Sequence, residues 1–344
     1  MIRLELKPLS TVQDAWTMLE TAIGVEFGTL PPYLYAMFSI PPGENVPSAS
    51  RIKSVLLQEM VHMCLACNIL NAIGGNPVLK PPVYPGYLPG GIGPDGKPLK
   101  IRLLRLSKEA MKQAMDIEEP VDPIDFPDAP MLEGLAAGPT AVTIGEFYAA
   151  LDAFLATLPG QAWKSNRNQI TDDQFFSGQL FAVNSYPDAH RAISIIVSEG
   201  EGAKDTPLDF QDELAHFYRF SEIYRDKVLT KANTKQGYQW GPQKLGVDWT
   251  KVFPCIPDPG AHDFSKEPAA AQAAQAACNL AYGQMVDALQ SAVTGGAGQL
   301  GVAVRAMFDL RLAAQVALRT PLSDPKLVAG PAFVYTPTSG GASQ

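Results

Sequence analysis

Histidine and cysteine are scarce in this chain, with four of each among 344 residues. Cys64, Cys67, Cys255 and Cys278 are too few for a disulfide framework at this length, which points to a reducing, cytoplasmic setting. With so few histidines, any imidazole chemistry must draw on nearly all of them. Basic clusters are missing too. The chain has 27 Lys and Arg against 35 Asp and Glu, for a net charge of −8, so it lacks the electrostatic footprint of a nucleic-acid binder. No uninterrupted apolar run reaches the ~20 residues of a membrane span. Met1 to Lys7 alternate apolar and charged residues without a signal-peptide core. Neither nucleic acid nor a membrane is an expected partner. Proline, by contrast, is abundant: 30 residues, nearly twice the usual share of about 5%. Because proline is excluded from most helix and strand interiors, long ordered loops are expected.

Apolar periodicity predicts a mostly helical chain. Leu19, Ala22, Ile23, Leu30, Tyr33, Leu34 and Met37 recur at helical spacing over about 12–40. Pro31-Pro32 falls inside that pattern and predicts a kink or break. A second helix is expected over about 48–73, with Ile52, Val55, Leu56, Met63, Ala66, Ile69 and Leu70 on one face and a stop at Gly74-Gly75-Asn76-Pro77. Residues 77–98, crowded with proline and glycine, are expected to form no regular element. Ile101–Met115 is a shorter helical candidate, and 116–139 is expected to be an acidic, Pro-rich loop. Thr143 and Glu146 form a capping box that opens a helix to about Leu158. Further helices are expected over about 210–229, 269–293 and 299–319. Residues 190–203 are ambiguous, since Ile193, Ile195, Ile196 and Val197 suit a strand locally.

The histidines carry the chemistry. Two of the four follow a glutamate at three residues' distance: Glu59-x-x-His62 and Glu213-x-x-His216. On a helix such a pair shares one face, so both side chains can reach one point. Both pairs fall on apolar faces, where a carboxylate is costly unless it is paired or binds a cation. Glu26 repeats the anomaly among Leu19, Ala22, Ile23, Leu30 and Tyr33. A dinuclear carboxylate site in a four-helix bundle uses one Glu from each of two helices and Glu-x-x-His from each of the other two. The expected ligands are therefore Glu26, Glu59, His62, Glu213 and His216, with a sixth from 190–203 if that segment is helical. At about 100° per residue Glu201 lies nearer the buried face than Glu199, so Glu201 is preferred and Glu199 is the alternative. Glu146 is explained locally by its capping box. An oxygen-rich donor set with one imidazole per metal suits two iron ions, or manganese, better than zinc.

Other features have plainer readings. Cys64 and Cys67 read as small buried side chains, because no second pair completes a zinc site. Tyr33 and Tyr35, a turn or two beyond Glu26, read as core aromatics, with hydrogen bonding near the metals or carrying oxidising equivalents as the alternative, and His190 and His262 have no acid three residues before them. Asn68 and Arg219 are candidates to orient ligands from behind.

Glu26-Phe27-Gly28-Thr29-Leu30-Pro31-Pro32-Tyr33-Leu34, Glu59-Met60-Val61-His62 leading into Leu70–Pro77, Glu199-Gly200-Glu201-Gly202 and Leu214–Phe220 together resemble the ferritin-like family. The resemblance is to its branch containing the ferritin-like domain of iminophenyl-pyruvate dimer synthases, and it spans about residues 12–230. The closing Ala329-Gly330-Pro331-Ala332-Phe333 is similar to stand-alone members. The resemblance implies an all-α, ferritin-like four-helix bundle and a helix over 190–203. Some relatives act with haem, but no Cys-x-x-Cys-His motif occurs here.

The resulting expectation is one elaborated domain over 1–344. It has a bundle within 12–230, an insertion at about 77–188 and a helical extension over 231–344. Function is expected to be that of a non-haem diiron oxidase or oxygenase, using O2 or peroxide on a small organic, amino-acid-derived substrate. Segments 77–98 and 120–139 are candidates to lid its pocket. The alternatives are iron storage or sensing without an organic substrate, and a helical module whose site is vestigial. A homo-oligomer is compatible with each.

Overall fold

The computed structural model describes residues 3–93, 97–120, 124, 126, 141–172, 176, 178–202, 206–234, 237–296 and 298–337. Helix α1, Val12–Phe38, starts at a capping box in which Thr11 accepts from Asp14 N and the Asp14 carboxylate accepts from Thr11 N. It runs through Pro31 and Pro32 without a break. Proline at 32 cannot donate to the carbonyl of Gly28, and the Tyr84 hydroxyl donates to that oxygen instead, at 2.5 Å. Gly28 also sits in close packing: a Cβ there would lie 2.3 Å from Leu88 Cδ2, so the Leu88 side chain would have to shift.

Helix α2, Val46–Ala72, packs along α1. It is long and apolar enough to cross a bilayer by composition, but 89% of its apolar window is buried inside the protein. Leu19, Ile23 and Leu30 of α1 and Ile52, Val55 and Leu70 of α2 meet in the main core. Each side chain so buried contributes about 1.5–3 kcal/mol.

The Pro/Gly-rich segment that follows corrects the expectation of no regular element. It forms strands β2 (Gly86–Ile92) and β3 (Pro98–Ile101). With β1 (Arg3–Glu5) and β4 (Ala141–Val142) they make an antiparallel sheet in the order β3-β2-β1-β4. Proline is tolerated because the β2–β3 register slips between Tyr87 and Ile92, where Pro89 owes the ladder no donor.

Helix α3 spans Lys108–Glu118, later and one turn longer than expected at its C-terminal end. Helix α4 is Ile144–Leu155, capped as expected by Thr143 and Glu146. Residues 186–201 are helical (α5, Tyr186–Glu201), against their local strand propensity. Helix α6 is shorter than expected, His216–Arg225. Upstream of it, the Asp209 carboxylate accepts from Gln211 N and Glu213 N, and Asp212 takes a left-handed φ of 61°. This local bonding competes with a helix and holds a hairpin turn from Leu208 to Leu214. A two-stranded ribbon follows, β5 (Leu229–Lys231) with β6 (Tyr238–Trp240). Helices α7 (Ala269–Val293) and α8 (Gln299–Ala317) then pack as a hairpin.

Helix α3 packs on α6, and α4 packs on α5. Helices α5 and α6 close the bundle against α2. All four cysteines are buried and unpaired. Ile170 and Phe181 are tied to α2 by Asn68, which is fully buried. It bonds to Ile170 N and O at 2.8 Å each and to Phe181 O at 2.9 Å. Asn68 is therefore a clamp between loop and helix, not a residue behind a metal ligand. Asn68→Ala should destabilise the protein by roughly 2–4 kcal/mol, because buried backbone groups lose their partner. Urea unfolding would show this.

Candidate metal centre

The bundle gathers three carboxylates and two imidazoles at its middle. Glu26 comes from α1, Glu59 and His62 from α2, Glu118 from the last turn of α3 and His216 from the first turn of α6. All are at most 6% exposed. They form two groups whose donor atoms lie within 4.8 Å of one another: Glu26, Glu59 and His62, and Glu59, Glu118 and His216. Glu59 belongs to both.

Each carboxylate turns one oxygen toward an imidazole Nδ1 and gives the other to a hydroxyl. Glu26 Oε2 is 3.8 Å from His62 Nδ1, while Oε1 accepts from the Tyr148 hydroxyl at 2.8 Å. Glu118 Oε2 is 3.5 Å from His216 Nδ1, while Oε1 accepts from the Tyr33 hydroxyl at 2.5 Å. Glu59 Oε1 is 2.8 Å from His216 Nδ1 and 4.0 Å from His62 Nδ1. Its Oε2 lies 2.9 Å from the Thr29 hydroxyl. The two rings stack with centroids 5.5 Å apart.

The far nitrogens are held as well. His62 Nε2 is 2.8 Å from Glu199 Oε2, and Gln179 donates to Glu199 Oε1 at 2.9 Å. His216 Nε2 is 3.2 Å from Gln58 Oε1, which also accepts from Arg219 at 2.8 Å. Arg219 thus stands behind a histidine of the cluster, as expected. Tyr33 does more than fill the core, whereas the Tyr35 hydroxyl bonds to the backbone oxygen of Ile256.

Glu213 is not brought to this cluster. The turn at Asp212 leaves it half-exposed and paired with Arg219 at 3.0 Å. Glu201 lines the cavity beside the cluster but is outside the two donor groups, and its Oε1 accepts from Gly145 N at 2.7 Å at the N-terminus of α4, where helix dipole and free amides favour an anion. Of the two acids on α5, Glu199 is the one facing inward, in line with Ala192, Ile195 and Ile196. It meets the outer nitrogen of His62 rather than the cluster's centre.

Glu118 is the residue that sequence reasoning missed. It continues the buried stripe Met111, Ala114 and Met115, so it fits the pattern that exposed Glu26, an acid on an apolar face. The expected helix end at Met115 hid it. His190 and His262 pair with Asp152 and Glu267 near the surface.

The chemistry of this donor set calls for positive charge. Burial, together with the charges of Glu118 and Glu26, pushes the Glu59 carboxyl well above its ordinary range. Burial alone would lower His62, but hydrogen bonds and charges from Glu199 and Glu26 hold it up at about 10. Burial likewise opposes ionisation of Glu26, yet His62 keeps it below the usual carboxylate value. His216 Nδ1 is buried without a hydrogen-bond partner, although Glu59 Oε1 is 2.8 Å away. An orphaned imidazole nitrogen beside carboxylate oxygens fits cations held between them. A cavity of about 20 Å³ opens beside Glu26, Glu59, His62 and Glu118. Its apolar walls include Val25, Ile117, Ile144, Ile196 and Val197. That volume holds about one water-sized molecule. No residue of 77–93 lines it, and most of 120–139, the other expected lid, lies outside the described residues.

A ferritin-like crystal structure from Caulobacter vibrioides aligns with the chain at a TM-score of 0.66 and 22% identity. The alignment covers 96% of this chain and all of that one. No functionally curated protein matches. The ferritin-like family model matches residues 19–225, more than half the chain and every residue of the cluster. With a helical bundle built around that cluster, the chain belongs to the ferritin-like family.

Proposed function

We propose that this protein is a non-haem dinuclear metalloprotein, a diiron oxidase or oxygenase acting on a small organic substrate. The observation that carries the reading is the pair of donor groups sharing Glu59. Glu26 and His62 would hold one cation, Glu118 and His216 the other, and Glu59 both. Three carboxylates and two imidazoles suit iron, with manganese as the other candidate. Two iron ions so held supply a means of binding and reducing O2 or peroxide.

The protein's own part is orientation. Tyr148, Tyr33 and Thr29 each occupy one oxygen of a ligand carboxylate, leaving the other for a cation. Glu199 fixes the ring of His62, and Gln58 with Arg219 fixes that of His216. Burial keeps the Tyr33 and Tyr148 phenols protonated, well above their ordinary range, so they act as donors. The cavity, with the acids and His62 on one side and apolar side chains on the other, has room for a diatomic ligand, and a larger substrate would approach from its mouth. The resemblance to iminophenyl-pyruvate dimer synthase domains makes amino-acid-derived compounds the first class to try.

Metal analysis of the purified protein should find two iron or manganese ions per chain. No metal, and none taken up on anaerobic titration with Fe(II), would overturn the reading. Rapid mixing of the ferrous protein with O2 separates oxidase from storage. An oxidase gives a transient absorbance whose decay depends on substrate, whereas accumulating ferric mineral supports storage.

The ligand set makes a sharper prediction. Glu118→Ala should lose stoichiometric binding of one metal, while Glu213→Ala and Glu201→Ala retain two. Equilibrium dialysis distinguishes these outcomes. Tyr148→Phe and Tyr33→Phe should each weaken metal affinity by about 10-fold, the scale for groups that orient ligands. In both, the infrared carboxylate bands should shift as the freed oxygen becomes available.

A further inference from the structure

A second cavity, of about 330 Å³, lies between α1, α2 and α8. It is on the side of α2 away from the metal centre: Leu56 and Met60 line it, and His62 points roughly the opposite way at about 100° per residue. Its volume is in the range of small-molecule sites, about 300–1,000 Å³. A narrower apolar cavity continues inward from it, sharing Leu34, Met60, Phe176 and Met307. Five of the ten methionines, Met37, Met60, Met63, Met285 and Met307, line the two. Unbranched thioether side chains let an apolar wall reshape around a guest.

The rim is as distinctive as the wall. Leu57 and Phe308 stand 40% and 57% exposed there. The charged residues lining the cavity are Lys53 and Arg311, both exposed, and no acid lines it among the described residues. Neither cation makes an ion pair or hydrogen bond among the described residues. Elsewhere Arg51, Arg102, Arg219, Lys112, Lys251 and Lys266 each meet a carboxylate. In a chain of net charge −8, an apolar cavity whose charged lining among the described residues is cationic selects for an anion.

We infer that this cavity binds a soluble amphiphile with a single anionic head, a fatty-acid-like carboxylate. Its head meets Lys53 and Arg311, and its hydrocarbon lies against Met60 and Met307. The inference does not depend on the metal centre.

The probes are decanoate and decyltrimethylammonium, which share a chain and differ in head charge. Isothermal titration calorimetry of the full-length protein should show saturable binding of decanoate at one site. Decyltrimethylammonium should bind more weakly by about tenfold or more, as should decanoate to Arg311→Glu and to Lys53→Glu, the scale of losing a charged hydrogen bond. Met307→Trp, which fills the cavity, should abolish binding. Both charge variants lie on the surface and should keep the parent's unfolding midpoint and metal content. Absence of saturable binding, equal affinity for the two heads, or undiminished binding by both charge variants would overturn the inference. So would sedimentation with phosphatidylglycerol vesicles without decanoate binding, which would assign this face to a membrane. A dimer that Phe308→Glu dissociates and decanoate does not perturb would also overturn it, assigning the face to a second copy of the chain.

Discussion

Glu59 stands within reach of both cluster histidines with its carboxyl buried, and Glu26 and Glu118 lie on either side. An acid so placed is costly unless positive charge is brought to it, and everything near it is arranged to bring that charge or hold its place. The two imidazoles face inward through Nδ1. Their outer nitrogens are occupied by Glu199 and Gln58, so neither ring is free to turn. Three hydroxyls, two on α1 and one on α4, fix the outer oxygens of the acids. The bundle therefore serves as a frame that makes an unfavourable cluster of like charges persist.

Helix packing supplies that frame without symmetry. A bundle with two Glu-x-x-His helices would draw its acids from matching positions. Here α3 runs beside α6 and contributes Glu118, where a second Glu-x-x-His pair would have placed Glu213. The Asp209 turn accounts for the difference, because its carboxylate bonds backbone amides that a longer α6 would need. Glu201 is diverted in a similar way by the free amides at the start of α4. In both cases a local hydrogen-bond demand decides which acid reaches the centre.

The Pro/Gly-rich insertion has a structural role close to the site. Pro32 frees the Gly28 carbonyl, Tyr84 fills it, and the absence of a side chain at Gly28 lets Leu88 of β2 lie against α1. The sheet thus braces the helix that carries Glu26. On the other side of α2, the methionine-lined cavity leaves a face of the bundle open, away from the centre.

The sequence by itself determined the helical class, most helix positions and the local caps, because these follow from short-range periodicity and hydrogen bonding. It also marked Glu26, Glu59, His62 and His216, since acids and imidazoles on apolar stripes are visible as violations of pattern. What only the tertiary structure decided was which further acids join them. Glu118 lay past an expected helix end, and the choice between Glu199 and Glu201 turned on a neighbouring helix that periodicity within α5 cannot contain. Glu213 satisfied the motif and failed the geometry, because a motif fixes spacing along the chain only when the segment is helical. Tyr33, Tyr148 and Thr29 carry no such signal. Buried hydroxyls are ordinary core residues until long-range packing sets a carboxylate oxygen against them.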